Sequence, residues 1–221
     1  MEYICSYRSP IGEMIMASDG EHLTGLWFQG QKYFASTLGE KYTDLQGDGS
    51  HLPVFAQTKK WLDVYFAGEQ PASLPPLAPK GSAFRRQVWE ILLEIPYGET
   101  VTYGEIARKV FGGGREDGEA EKKRGMSAQA VGGAVGHNPI SILIPCHRVL
   151  GSSGQLTGYA GGLDKKEYLL TLERADQKND GASECQPSSP DVFFIRFLLS
   201  VWPFAPRCPG IGNNPADGET E

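Results

Sequence analysis

Cysteine is scarce in this sequence. There are 4, at positions 5, 146, 185 and 208, and no two form a CxxC pair. That pattern excludes a disulfide framework and a cysteine-based zinc site, and leads us to expect reduced thiols in a cytosolic protein. Long apolar runs are missing too: no stretch approaches the roughly 18 residues that a membrane-spanning helix needs. The opening Met1-Glu2-Tyr3-Ile4 has no basic segment ahead of an apolar one, so no signal peptide is expected. Positive charge is not in excess either. With 21 basic and 27 acidic side chains the net charge is −6, a weak argument against nucleic acid as a partner.

The average hides a distribution. Residues 1–80 carry 6 basic and 9 acidic side chains, residues 81–174 carry 12 and 11, and residues 175–221 carry 3 and 7. Only the middle region escapes an acidic balance, and it holds Arg85-Arg86 and Lys122-Lys123-Arg124. A DNA footprint is permitted there, although ordinary solvated charge explains the same residues.

The first 70 residues read as a small α/β module. Tyr3–Tyr7, Glu13–Ala17 and Leu23–Phe28 are short and rich in β-branched or aromatic residues, punctuated by Pro10-Ile11-Gly12 and Asp19-Gly20. A small antiparallel sheet is expected, with a helix over Phe55–Phe66 that Gly68 ends. No catalytic constellation is visible in this module, and Cys5 reads as a small buried hydrophobe. Residues 71–81, rich in proline from Pro71 through the adjacent pair Pro75-Pro76 to Pro79, form an extended linker and the best domain boundary.

A mostly helical domain over 82–174 follows. Ser82 is placed to cap a helix carrying Phe84, Val88, Leu92 and Ile95 on one face. Thr102 and Glu105 make a capping box for a helix from Tyr103 to about Val110. Ser127 opens a third, small-faced helix over Ala128–Gly136. These last two helices resemble a helix-turn-helix, but close helix packing explains the small residues better, and a connector of about fifteen residues is long for the motif. A final helix is expected over Asp164–Glu173. Residues 175–221 are expected to be disordered, with a short apolar segment, Val192–Phe204, too short to span a bilayer.

Chemistry concentrates at Ile144-Pro145-Cys146-His147-Arg148-Val149, which ends the apolar run Ile140–Ile144. The run reads as a strand, with the sulfur at its end. A lone cysteine there can be an inert core residue. A histidine and an arginine beside the sulfur favour the thiolate, the form that attacks, and Glu173 on the last helix is a candidate partner for His147.

Asn138-Pro139, the Pro-Cys-His-Arg element, Gly158-Tyr159-Ala160-Gly161-Gly162 and Lys166-Glu167 through Glu173 occur in an order and spacing that resemble the O6-alkylguanine-DNA alkyltransferases. The likeness is close over 84–173, is one of layout over 1–80, and does not reach 175–221. It implies direct damage reversal: irreversible, single-turnover transfer of an alkyl group from O6-alkylguanine, and from O4-alkylthymine, to the protein's own cysteine after base flipping. By position, Cys146 is the nucleophile. His147 takes its proton through a water, Glu173 orients His147, Tyr103 donates to the base, and Asn138 braces the turn. Backbone groups of Val149 and Ala160 contact the base, Tyr159 walls the pocket and Lys166 supports the loop over it. Toward DNA the family pattern points to Ser127, Ala128, Gln129 and Gly132 on the recognition helix, and to Arg85, Arg124, Arg148 and Ser152. The implied partner is double-stranded DNA containing O6-alkylguanine, met by a monomer in the cytoplasm with access to the nucleoid, or in a nucleus. No cofactor is implied. Some relatives hold zinc in the N-terminal module, but Cys5 has no companion ligands, so no metal is expected. The alternatives are a non-catalytic sensor of alkylated bases and a thiol hydrolase.

Two residues depart from the family pattern. Ala160 stands where serine is frequent, and Gln129 stands where an arginine often fills the gap left by the flipped base. Glutamine brings hydrogen bonds but no charge. Gln129→Arg is therefore expected to tighten binding to duplex DNA and to steepen its salt dependence by up to about one phosphate contact. Unchanged affinity and slope in a binding titration would show that this position stays outside the duplex.

Overall fold

The computed structural model describes residues 1–45, 49, 51–111 and 128–179, with side chains described through 174. The three expected strands form as β1 (Glu2–Ser9), β2 (Gly12–Ser18) and β3 (Leu23–Phe28). Ser9 pairs directly with Gly12, so Pro10 and Ile11 alone make the turn, and Gly12 takes φ +129, which a side chain resists. The sheet is mixed rather than antiparallel, because β4 (Tyr42–Asp44) joins β1 in parallel, giving the order β3-β2-β1-β4. A three-residue strand is too short for its alternation to register in a sequence.

Helix α1 (Pro53–Phe66) crosses this sheet, burying Val54, Phe55, Thr58, Leu62 and Tyr65. Proline at its first turn costs no intrahelical bond. Gly68, at φ +86, closes the other end: its N–H reaches Tyr65 O and the Glu69 N–H reaches Val64 O.

The outer edge of β3 receives two later parts of the chain. Residues of the proline-rich segment lie on it: Leu23 N–H donates to Pro76 O at 2.8 Å, and Ala78 N–H donates to Leu23 O at 2.9 Å. Further along the same edge, Leu26 N–H donates to Pro139 O and Ser141 N–H donates to Leu26 O, each at 2.8 Å. An edge that would otherwise expose unpaired backbone is thus covered, and every residue of β3 is buried. The covering also ties the Asn138-Pro139 turn directly to the N-terminal sheet.

The helical part begins with α2 (Ala83–Leu93), where Ser82 Oγ accepts from the Arg85 N–H. The two-stranded pair β5 (Val101–Thr102) and β6 (Val149–Leu150) runs parallel, and α3 (Tyr103–Phe111) starts directly from β5. The capping box forms: the Thr102 N–H donates to Glu105 at 2.7 Å and the Glu105 N–H donates to Thr102 Oγ1 at 3.2 Å. Helix α4 spans 128–136, and its Val131, Ala134 and Val135 turn into the core. That core is continuous across both parts of the chain, from Met14 and Phe55 through Trp89 and Val131 to Leu169.

Two further expectations are corrected. The apolar run 140–144 is not a strand: it is a buried turn in which only Ile140 bridges β3. Ile142 adopts φ 70, a left-handed conformation that costs a β-branched residue on the order of 1–3 kcal/mol. Helix α5 (Leu163–Asn179) also runs past Glu173 and past the expected onset of disorder at 175, because Ala175, Gln177 and Lys178 favour helix after the apolar stripe has ended. The remaining tail with its apolar segment, and the glycine-bearing stretch before Ser127, lie outside the described residues. Among the described residues no helix is long and apolar enough to cross a membrane.

Trp89 links the helices, because its Nε1–H donates to Ala134 O at 2.9 Å in the buried interior. Trp89→Phe keeps a ring there and leaves Ala134 O with only the His137 N–H, at 3.2 Å, so urea unfolding is expected to show a loss of about 0.5–1.5 kcal/mol.

Candidate active site

The Asn138 side chain organises the turn that carries the sulfur. Its Oδ1 accepts from the Ile140 N–H at 3.0 Å. Its Nδ2 faces Ile140 O at 3.2 Å, Ile144 O at 2.8 Å and Cys146 Sγ at 3.2 Å. Cys146 opens a 3₁₀ turn, Cys146–Arg148, and is 4% exposed. Burial pushes its thiol up, against the Asn138 hydrogen bond and the charge of Lys166. The resting group is therefore a thiol, and it needs a base to become a nucleophile.

His147 follows directly and is fully buried. Its Nε2 lies 2.7 Å from Glu173 Oε1. Glu173 is equally buried and carries five bonds. Oε1 also accepts from Tyr65 Oη at 2.7 Å and Arg148 Nη2 at 3.0 Å, while Oε2 accepts from Arg148 Nε at 2.9 Å and the Gly98 N–H at 3.1 Å. Burial works to raise its pKa, but the donors His147 and Arg148 outweigh burial and hold the carboxyl at about 2. An ionised carboxylate only accepts, so the proton shared with His147 sits on Nε2. Burial holds the ring itself below the usual imidazole value. Neutral His147 thus keeps a lone pair on Nδ1, and Nδ1 is buried with no hydrogen-bond partner among the described residues. That nitrogen is the free base of the site.

A cavity of about 230 Å³ opens between α4 and the loop at 158–160. Tyr103, Tyr159, Ala160, Gly132 and Gly133 line it, with Lys32 and Tyr33 from the N-terminal module. Tyr103 Oη lies 3.4 Å from Thr157 O and 3.5 Å from Gly158 O; burial raises its phenol, and the Cys146 sulfur adds to that. Lys166 is wholly buried and spans Val149 O at 2.5 Å and Thr157 O at 2.6 Å, tying the segment after the sulfur to the pocket loop. Burial pulls its ammonium down to about 8, with Cys146 opposing. The glycines of α4 are not required by packing within the protein. A Cβ added at Gly133 or Gly136 would meet nothing within 4 Å, so this face fronts open space while the other face packs inward. Gln129 is exposed on α4, with Ala128 half-buried beside it. Arg85 is half-buried on α2 and Ser152 is exposed. Arg124 and Ser127 lie outside the described residues.

Arg148 corrects the sequence reading, which places it toward DNA. Its guanidinium is buried, forks onto Glu173, donates to Ile95 O at 2.7 Å and lies over the Tyr97 ring at 5.6 Å. A cation committed this way is a support for Glu173. Sequence reasoning misses Tyr65 altogether: on a helical apolar face a tyrosine reads as core, and only its polar tip marks it otherwise. The N-terminal module, in which the sequence shows no catalytic constellation, thus contributes one side chain to the Glu173 cluster. Gly98 contributes a backbone N–H, which no sequence pattern announces. Among the described residues no three metal-ligating side chains gather.

The family model described as "6-O-methylguanine DNA methyltransferase, DNA binding domain" matches residues 83–175, and the one described as "6-O-methylguanine DNA methyltransferase, ribonuclease-like domain" matches 3–78. A methylated-DNA–protein-cysteine methyltransferase of Haemophilus influenzae is 39% identical over 186 residues, which cover 84% of this chain and 93% of that one. Its counterpart in Mycolicibacterium paratuberculosis is 45% identical over 166 residues, 75% of this chain and 88% of that one. The crystal structure of Mycobacterium tuberculosis OGT in complex with DNA superposes with a TM-score of 0.65 at 40% identity, covering 79% of this chain and 94% of that one.

The depressed carboxyl of Glu173 makes the fold sensitive to acid. Its folded value of about 2 lies below the unfolded value of about 4.3, so the stabilisation is complete above about pH 5 and is lost as pH falls through 4.3 toward 2. The contribution is on the order of 3 kcal/mol. The stability difference between the protein and its Glu173→Gln variant, followed by urea unfolding, is expected to shrink over that window; a constant difference would refute the assignment.

Proposed function

This chain belongs to the 6-O-methylguanine DNA methyltransferase family, and we propose that it repairs DNA by moving the alkyl group of O6-alkylguanine irreversibly onto Cys146. One observation carries this reading. A buried thiol, fixed by Asn138, is followed by a neutral imidazole whose Nε2 is committed to an ionised carboxylate and whose Nδ1 is free. Such a pair can deprotonate a sulfur without holding it permanently as a thiolate.

The steps balance. The Cys146 proton passes through a water to His147 Nδ1, and Glu173 stabilises the imidazolium. The sulfur bonds to the alkyl carbon as the carbon–O6 bond breaks, and its electron pair stays with the guanine. Tyr103 gives its phenolic proton to the departing guanine as that charge develops, and the proton held on His147 returns through water to the tyrosinate, so that a thioether, neutral guanine and neutral His147 and Tyr103 remain. General-base assistance of this kind is worth about 10²–10⁴-fold. The product is a thioether, which no group here can cleave, so each molecule acts once.

Duplex DNA is the partner, met in the compartment that holds it. Helix α4 presents its open glycine face and Gln129 to the groove, and the alkylated guanine leaves the stack at a cost of a few kcal/mol. The base enters the cavity between α4 and Tyr159-Ala160, which Tyr103 and Gly132 also line; contacts of the Val149 and Ala160 peptide groups with its edge are what the family resemblance implies. Lys166 holds that loop in place.

Incubation with an oligonucleotide carrying O6-methylguanine is expected to add the mass of one methyl group, on Cys146, and never more than one per molecule. Binding without mass gain would point to a sensor, and turnover of an ester or amide to a thiol hydrolase.

A further inference from the structure

We propose that Tyr65, on helix α1 of the N-terminal module, is a positioning residue of the alkyl-transfer relay, its hydroxyl fixing the Glu173 carboxylate that fixes His147. This inference rests on the function proposed above. The residue lies 108 positions from Glu173, in the N-terminal module, away from the Lys32-Tyr33 pair that borders the cavity.

The geometry is tightly determined. Tyr65 is fully buried, and its ring is held on several sides: stacked on Trp61 at 5.3 Å, edge-on to Phe66 at 5.5 Å, to Tyr97 at 6.0 Å and to His147 at 6.4 Å. A ring so confined cannot swing its hydroxyl elsewhere. The hydroxyl donates to Glu173 Oε1 at 2.7 Å and lies 3.4 Å from His147 Nε2. It therefore sits at the junction of the carboxylate and the imidazole.

Oε1 carries three donors: His147, Tyr65 and Arg148. Each draws negative charge away from the oxygen that faces the imidazole. With fewer donors, Oε1 would pull harder on the His147 proton and favour the imidazolium, leaving no lone pair on Nδ1 for the thiol. Tyr65 thus helps keep His147 in the neutral form that can act as base. The other groups facing the pair are Arg148 on the same turn, the Gly98 N–H and Tyr97 after α2, Lys166 on α5, Tyr159 on the pocket loop and Cys146 itself. Arg148 and Lys166 are cations that also disfavour the imidazolium, so Tyr65 adjusts a balance in which it is the neutral member.

Tyr65→Phe removes the hydroxyl and keeps the ring. Single-turnover methyl transfer from a saturating O6-methylguanine oligonucleotide, followed by intact mass between pH 5 and 9, reads the outcome. The acid limb of the rate is expected to move up by roughly half to one pH unit, and the final gain is expected to remain one methyl on Cys146. Replacing Tyr65 by 3-fluorotyrosine, a stronger donor of nearly the same size, is expected to move the limb the other way and serves should the phenylalanine variant fail to fold. An unmoved limb in the variant that folds, whether or not the rate falls uniformly, overturns the proposal and leaves Tyr65 a core residue. No methyl gain by the unaltered protein would instead defeat the function proposed above, so the two failures are distinct.

Discussion

A carboxylate without water is the constraint on which this structure turns. Burying one costs several kcal/mol unless its lone pairs are satisfied. Glu173 is fully buried, and its donors come from α1, from the stretch after α2, and from the turn after Cys146. Those elements cannot drift apart without exposing an uncompensated charge. Helix α5 supplies the carboxylate, so satisfying one side chain also docks the helix. The hydrogen bonds that stabilise the fold are the same ones that set the histidine tautomer.

Reactivity is restrained in the same way. Burial keeps Cys146 a thiol and keeps His147 neutral. Neither is charged at rest, which suits the single-use role proposed for Cys146: a permanent thiolate would be open to oxidants and stray electrophiles. Ionisation is left to the moment when an alkyl carbon stands in line.

Much of this is legible in the residues. Short strands, the Ser82 cap, the Thr102–Glu105 box and the Gly68 stop are local features, and local chemistry decides them. Cys146, His147, Glu173 and Asn138 can be picked out because motif and spacing resemble a known family, and the structure draws them together. Other features depend on distant partners. Arg148 looks like a groove-facing cation until Glu173 is seen beneath it. Tyr65 looks like core until its oxygen finds a carboxylate 108 residues away. The run 140–144 is as apolar as a strand, but the carbonyls at its two ends, Ile140 and Ile144, are claimed by Asn138 and its ladder partner is a single residue of β3. A five-residue apolar run cannot distinguish a central strand from a buried turn.

The capture of the β3 edge by residues 139–141 sets an order of events during synthesis. Strand β3 is complete early in the chain, yet its partner emerges more than a hundred residues later, and contacts of such wide separation close last and slowly. Until they close, the Asn138 turn lacks its anchor to the sheet. Because Glu173 follows later still, a ribosome-bound chain has a cysteine but no assembled relay. The His147–Glu173 relay can therefore form only after residue 173 has been made, later than the sheet that anchors the Asn138 turn.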